Sequence, residues 1–291
     1  MSTTDTFVPR LPFGDWVDVF VTWLIAAFKP FFAVVKDVLL SCYDALAAVL
    51  QGPPFVVVAL VLAALAFFAK GWRLAVTTLV GFVVIAGVDQ WDNAMATLAL
   101  VLVASVIALA IGIPLGIWAA RNDKVSRVVR PVLDFMQTMP GFVYLIPMVM
   151  IFLTGAVPGI VATVVFALAP GVRFTELGIR QVDSEVVEAG HAFGSTPGRI
   201  LRQIQLPLAM PTIMAGVNQV IMLSLSMVVL AGLVGAGGLG GDVVAALQRI
   251  NISLGFEAGL SVVILAVFLD RVTSALSTRS PVAKALAASA V

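Results

Sequence analysis

The stretch Glu188–Pro207, EAGHAFGSTPGRILRQIQLP, is a polar, helix-prone island between long runs with almost no charge. It reads as two short helices meeting at a sharp corner. Gly194 supplies the positive φ with which helices commonly end. Thr196 can cap the next helix with its side chain, and Pro197 suits that helix's first position, where a missing N–H costs nothing. Leu206-Pro207 is expected to stop the second helix, because an interior proline removes a donor and crowds the carbonyl four residues back. Taken alone, such a stretch is a surface helix-turn-helix joining two apolar runs.

The apolar runs set the class. The 291 residues are 61% hydrophobic and 11% charged, with a mean hydropathy of +1.10, whereas soluble chains carry about 25% charged residues. An all-α polytopic membrane protein is expected. The net charge of +1 gives no electrostatic case for nucleic acid. Cys42 and His191 are each the only residue of their type. An internal disulfide, a cysteine metal cluster, a histidine metal site and a Ser-His-Asp triad are therefore excluded within one chain. No catalytic residue, metal ligand or cofactor is expected here, which disfavours an intramembrane enzyme.

Residues 1–10 lack the pattern of a removable signal peptide. From Asp15 to Asp44 the polar residues fall within about a third of a helical wheel turned at roughly 100° per residue. This predicts a long interfacial amphipathic helix, broken near Pro30; a true span over Trp16–Val35 is the competing reading. Seven spans follow: 54–69, 74–88, 93–120 (bent at Gly112, Pro114 and Gly116), 131–153, 160–177, 208–234 and 260–275. Arg173 and Glu176 are expected to emerge into the interface. Asp134 is expected to pair with Arg127 or Arg130. Between the last two spans, GAGGLGG (Gly235–Gly241) and the segment to Phe256 allow either close backbone approach with a re-entrant turn or an ordinary flexible loop.

The island also carries a family spacing: Glu188, Ala189 and Gly190, then three residues, Gly194, nine residues, Ile204, one residue, Leu206 and Pro207. This resembles the EAA loop of ATP-binding-cassette importer permeases, with Gly190 in place of the second alanine. DFMQTMPGFVYLIP (Asp134–Pro147), LPLAMPTIMAGVNQ (Leu206–Gln219), LSMVVLAGLVGAGGLG (Leu225–Gly240) and ILAVFLDRVT (Ile264–Thr273) are similar to the glycine betaine/proline osmoprotectant permeases. The resemblance implies the type I importer transmembrane fold, preceded here by the amphipathic helix. Four segments are expected: an extracytoplasmic tail (1–52), a two-helix scaffold (53–90), a permease core (91–276) with coupling loop 183–207, and a cytoplasmic tail (277–291).

The resemblance further implies a second copy of the permease, a pair of ATPase subunits holding ATP and Mg, an external substrate-binding protein, and membrane lipid. Glu188, Ala189, Gly190, Gly194, Ile204, Leu206 and Pro207 would dock on the ATPase. The cargo would be a quaternary-ammonium zwitterion, with choline or another small solute as the alternative. An ion-driven carrier is disfavoured because the long spans lack charged residues to bind a coupling ion. With the loop inside a bacterial cytoplasmic membrane, all but Arg10, Lys29, Lys36 and Arg249 of the 17 basic residues fall on the cytoplasmic side, as the positive-inside rule requires. The amino terminus is then outside and the carboxyl terminus inside. Candidate path residues are Gln137, Thr138, Met139, Phe142 and Tyr144 on the fourth span and Asn218, Gln219, Ser224 and Ser226 on the sixth. Their polar groups, beside aromatic faces suited to methylammonium, belong in a bundle interior or a water-filled path; hydrogen bonding between packed helices is the other reading.

Overall fold

The computed structural model describes residues 11–278, and every regular element among them is helical. Arg10, Arg279, Lys284 and the expected tail from residue 279 lie outside the described residues. The expected amphipathic helix is two helices, α1 (Phe13–Ala27) and α2 (Lys29–Gln51), which meet at 79°. Pro30 in the first turn of α2 forces the break, since its ring excludes the carbonyl four residues back. The same corner rules out a straight span over Trp16–Val35. Helix α1 buries no residue. Helix α2 lays Leu39, Ala47 and Leu50 against the bundle, so much of its apolar face meets protein.

The helices α3 (Phe55–Lys70) and α4 (Trp72–Gly87) form the expected hairpin. At 16 residues each they are about 24 Å long at 1.5 Å per residue. Phe82 packs edge-on to Trp91 and Phe268. The third span is α5 (Trp91–Arg121), which stays helical through Pro114. Its glycines serve packing: a Cβ on Gly116 would stand 2.6 Å from the Val172 carbonyl oxygen, and one on Gly112 would stand 3.4 Å from the Gly171 backbone. The partner is α8 (Ala156–Arg180), and small residues there let the two backbones approach.

The fourth span is not one helix. The chain forms α6 (Asp123–Thr138), turns through 96° and continues as α7 (Gly141–Phe152). Pro140 confines Met139 to extended backbone, and both residues are extended, with ψ 133° and 139°. The dipeptide Met139-Pro140 was the legible signal for this break. The next helices are α9 (Ser184–Ala192) and α10 (Pro197–Ile200), then a π-helical turn (Leu201–Gln205) and α11 (Leu206–Ser226). The helix α5, the helix α8, the run Pro197–Leu233 and the final helix α14 (Ile252–Thr278) are long and apolar enough to cross a membrane; each bent pair, α1–α2 and α6–α7, adds one crossing if counted as a single span.

The glycine-rich segment packs tightly. After α11 come α12 (Val228–Leu233), a turn with positive φ at Gly235 and Gly237, and α13 (Gly238–Arg249). A Cβ on Gly240 would lie 2.1 Å from the Val228 carbonyl oxygen, and one on Gly232 would lie 2.3 Å from the Gly240 carbonyl carbon. This is the close-approach reading; a flexible loop is excluded. Helix α13 is tied to α5 where Asp242 accepts from Gln90 (2.9 Å) and Asn93 (2.7 Å) and where the Leu239 N–H donates to Thr97 Oγ1 (2.9 Å). Gly240→Ala is expected to cost about 1–3 kcal/mol, as overpacking does, while Gly241→Ala, inside α13 with nothing within 4 Å of its Cβ position, is expected to gain about 0.5–1 kcal/mol from the better helix former. Thermal unfolding of the two purified variants in detergent checks the contrast.

Candidate functional site

The expected coupling loop is an elbow at one end of the bundle. Asp183 starts α9 by accepting from the Glu185 N–H at 2.9 Å. The corner is Gly194, at φ +76°, a conformation that side chains resist. The Gly194 N–H bonds the His191 carbonyl (2.9 Å), and the Ser195 N–H bonds that of Gly190 (3.1 Å). Pro197 takes the first position of α10, but the side chain of Thr196 caps nothing. Its backbone carbonyl instead receives the N–H groups of Arg199 (2.9 Å) and Ile200 (3.0 Å), which takes the donor a threonine cap would use.

Leu206-Pro207 does not stop the helix. The π-helical turn closes with the Leu206 N–H on the Leu201 carbonyl, five residues back. That wider turn gives the Pro207 ring room where an α-turn would crowd it, and the chain runs on into α11. The second helix is thereby continuous with a long apolar one.

The two arms rest on each other through Gly190. A Cβ there would meet Ile204 Cδ1 at 2.8 Å and Ile200 Cγ1 at 3.3 Å. Gly190 and Ile200 are buried, and Ile204, Leu206 and Pro207 are half-buried. Glu188, Ala189 and Gly194 face outward, as do Arg199 and Arg202. Phe193, which the sequence reading passed over, is 90% exposed at the tip. A cavity of about 480 Å³ lined by Arg121, Thr196, Arg199 and Arg202 joins the elbow to the end of α5.

Beside the elbow lies an ion network. Glu176 is 3% exposed, because α8 continues past the expected end at residue 177. It accepts from Ser126 Oγ (2.6 Å), Arg130 (2.8 Å) and Arg180 Nε (3.0 Å). Arg180 also bonds the Ala119 carbonyl (2.9 Å) and Asp123 (2.7 Å). Asp134 pairs with Arg173; Arg130, one of its expected partners, is engaged by Glu176 instead. The ends of α5 and α8 and the start of α6 are thus clamped together, and Glu176, expected to emerge, is the anion at the centre. Its legible signal was a carboxylate four residues before an arginine at the end of a long apolar run.

The candidate path residues are not gathered in one place. Gln137 lines an open hollow of about 550 Å³ together with Phe166, Pro170, Arg173, Phe174, Gln219 and Leu223. Tyr144 is buried and donates to the Met136 carbonyl across the α6–α7 corner. Asn218 donates to Asp270 (3.0 Å) and accepts from Thr273, tying α11 to α14. Ser224 and Ser226 bond carbonyls one turn back, as Thr138 does to Phe135. Met139 packs with the Tyr144 and Met227 cluster, while Phe142 is exposed. Phe166, Arg173 and Phe174 were missed; a charged residue within an apolar run was the cue for Arg173.

The family described as a binding-protein-dependent transport system inner membrane component matches residues 112–280. The glycine betaine transport system permease protein OpuAB of Bacillus subtilis is 45% identical over 266 residues, covering 91% of this chain and 94% of that one. The glycine betaine/proline betaine transport system permease protein ProW of Escherichia coli is 45% identical over 273 residues, 93% of this chain and 76% of that one. The glycine betaine/carnitine transport permease protein GbuB of Listeria monocytogenes is 47% identical over 277 residues, 94% and 98%. An inward-facing structure of the MetNI methionine ABC transporter superposes with a TM-score of 0.60 at 23% identity, covering 65% of this chain and 94% of that one. At that identity the likeness is one of fold, the type I importer transmembrane architecture.

The two carboxylates that meet Arg180 make a testable contrast. Glu176→Gln leaves Arg130 without its anion and Arg180 with Asp123 alone. It is expected to cost about 1–3 kcal/mol, below the 3–5 of a fully buried pair because Arg130 reaches solvent. Asp123, at 77% side-chain exposure, is expected to contribute less than about 1 kcal/mol, so Asp123→Asn is near neutral. Chemical denaturation of the purified variants measures both.

Proposed function

The chain belongs to the family of binding-protein-dependent transport system inner membrane components, and we propose that, as the permease subunit of an ATP-driven importer, it carries a small quaternary-ammonium zwitterion of the glycine betaine or proline betaine type. The cargo assignment is supported by the names of relatives 45–47% identical over more than nine-tenths of this chain. Two copies would stand beside two ATPase subunits that hold ATP and Mg, with an external binding protein delivering solute. The elbow lies on the cytoplasmic side in this reading, and the amino terminus outside. That orientation accords with the basic residues Arg121, Arg130, Arg180, Arg199 and Arg202 clustering at the elbow end.

The carrying observation is the unbroken helical path from Pro197 through the π-helical turn into α11. Glu188, Phe193 and Arg199 offer an outward face to the groove of an ATPase, and Gly190, Ile200 and Ile204 make the two arms a single body. When an ATPase pair closes on ATP, the docked elbows are drawn together. The displacement passes along α11, whose Gly216 seats Phe174 of α8 and whose Ala209 meets Gly178. Both helices wall the 550 Å³ hollow. The elbow acts as a lever in this scheme and takes no part in bond-breaking.

Reconstitution of the permease with its ATPase and a betaine-loaded binding protein in proteoliposomes tests the proposal, with ATP-dependent betaine uptake as the expected result. A complex that moves no betaine under these conditions rejects the cargo. Gly194→Val forces a side chain into a left-handed corner at a cost of about 1–3 kcal/mol. It is expected to leave the protein inserted and to reduce uptake by about tenfold, equivalent to 1.4 kcal/mol in the coupled step. Uptake at the parent rate in this variant would reject the lever.

A further inference from the structure

Resting on the cargo class just proposed, we propose that the hollow lined by Gln137, Phe166, Arg173, Phe174 and Gln219 is a subsite of the translocation path that takes the zwitterion whole. The carboxylate sits on the Arg173 guanidinium, and the trimethylammonium group faces Phe166 and Phe174. The site thereby favours zwitterions over plain cations such as choline.

Arg173 lines both this hollow and the neighbouring one of about 320 Å³ that contains Arg130, Asp134 and Glu176. One guanidinium nitrogen is paired with Asp134. Its Nε is buried and, among the described residues, has no hydrogen-bond partner. A buried donor without an acceptor is unfavourable and rare, and a carboxylate is the group that a planar guanidinium recognises best. Asp134 is 63% exposed at its side chain, so water can receive it when cargo competes for the arginine.

Phe166 and Phe174 stand two turns apart on α8. Phe174 is seated by Gly216, where a Cβ would come within 2.5 Å of its own. Aromatic faces attract quaternary ammonium groups through the ring quadrupole. Gln137 and Gln219 add neutral amides, and among the described residues no carboxylate lines this hollow. A lone cation therefore meets a guanidinium whose anion, Asp134, is already engaged, whereas a zwitterion satisfies both ends. The volume of about 550 Å³ lies in the range of about 300–1,000 Å³ usual for small-molecule sites, and the hollow is open, which suits brief occupancy in a conduit.

The test uses the full complex in proteoliposomes. Gln219→Cys and, separately, Leu223→Cys are introduced with Cys42→Ser, and labelling by a small charged methanethiosulfonate is timed with glycine betaine, choline or neither. Betaine is expected to slow labelling about threefold at twice its dissociation constant, following the factor 1 + [L]/Kd, and choline much less. Arg173→Gln is expected to abolish this protection. Asp134→Asn, which breaks the same ion pair but keeps the guanidinium, is expected to retain it. Protection that survives in Arg173→Gln, equal protection by choline, or loss in both variants overturns the carboxylate contact. If the parent complex imports betaine but neither cysteine is protected, the subsite falls and the transport reading stands. If it imports no betaine, the transport reading fails first and takes the subsite with it.

Discussion

Helices α5 and α8 lie so close that no side chain fits between them at Gly116, where the Val172 carbonyl occupies the space of a methyl group. Apolar surface gains little by leaving lipid for protein, so helices in a bilayer associate through close packing and buried polar contacts. The α5–α8 contact has both. Gly112 and Gly116 on one helix and Gly171 on the other bring the backbones together. At the end of the contact, Arg180 bonds the Ala119 carbonyl and Glu176. At the other end of α5, Gln90 and Asn93 converge on Asp242 of α13. A long helix pinned by a carboxylate near each end gives the other helices a fixed reference.

The elbow is joined to this frame by α11, not by a loop, because a π-helical turn accommodates Pro207 without interrupting the helix. Helix α11 meets α8 at Gly178 and Gly216, both of which lack the side chain that would keep the helices apart. In the proposed lever, a push on the elbow would reach Phe174 and its neighbours in the hollow, with α5 and Glu176 backing α8. Helix α8 is thus closely packed on one face and borders the open hollow on another.

The corners of the fold follow from proline, glycine and their neighbours. Pro30 separates α1 from α2, Met139-Pro140 separates α6 from α7, and the Tyr144 hydroxyl spans the second corner to the Met136 carbonyl. Gly232 and Gly240 let α12 and α13 touch backbone to backbone. In each case a local steric rule sets where the chain turns, and packing decides what the turned segment faces.

Hydropathy and backbone sterics acting over a few residues already set the membrane class, the limits of α3, α4 and α5 to within two residues, the corner at Gly194 and the first position of Pro197. The sequence also carried the coupling-loop spacing on which the family resemblance rests. Packing between helices distant in the chain settled that Glu176 is a buried anchor, that Asp134 belongs to Arg173, that Tyr144 and Asn218 hold helices together, and that Arg173 and Phe174 share a hollow with Gln137 and Gln219. Those outcomes depend on which faces of distant helices meet. The period of one helix fixes its own faces, but the partner of each face is chosen by the packing of all of them at once.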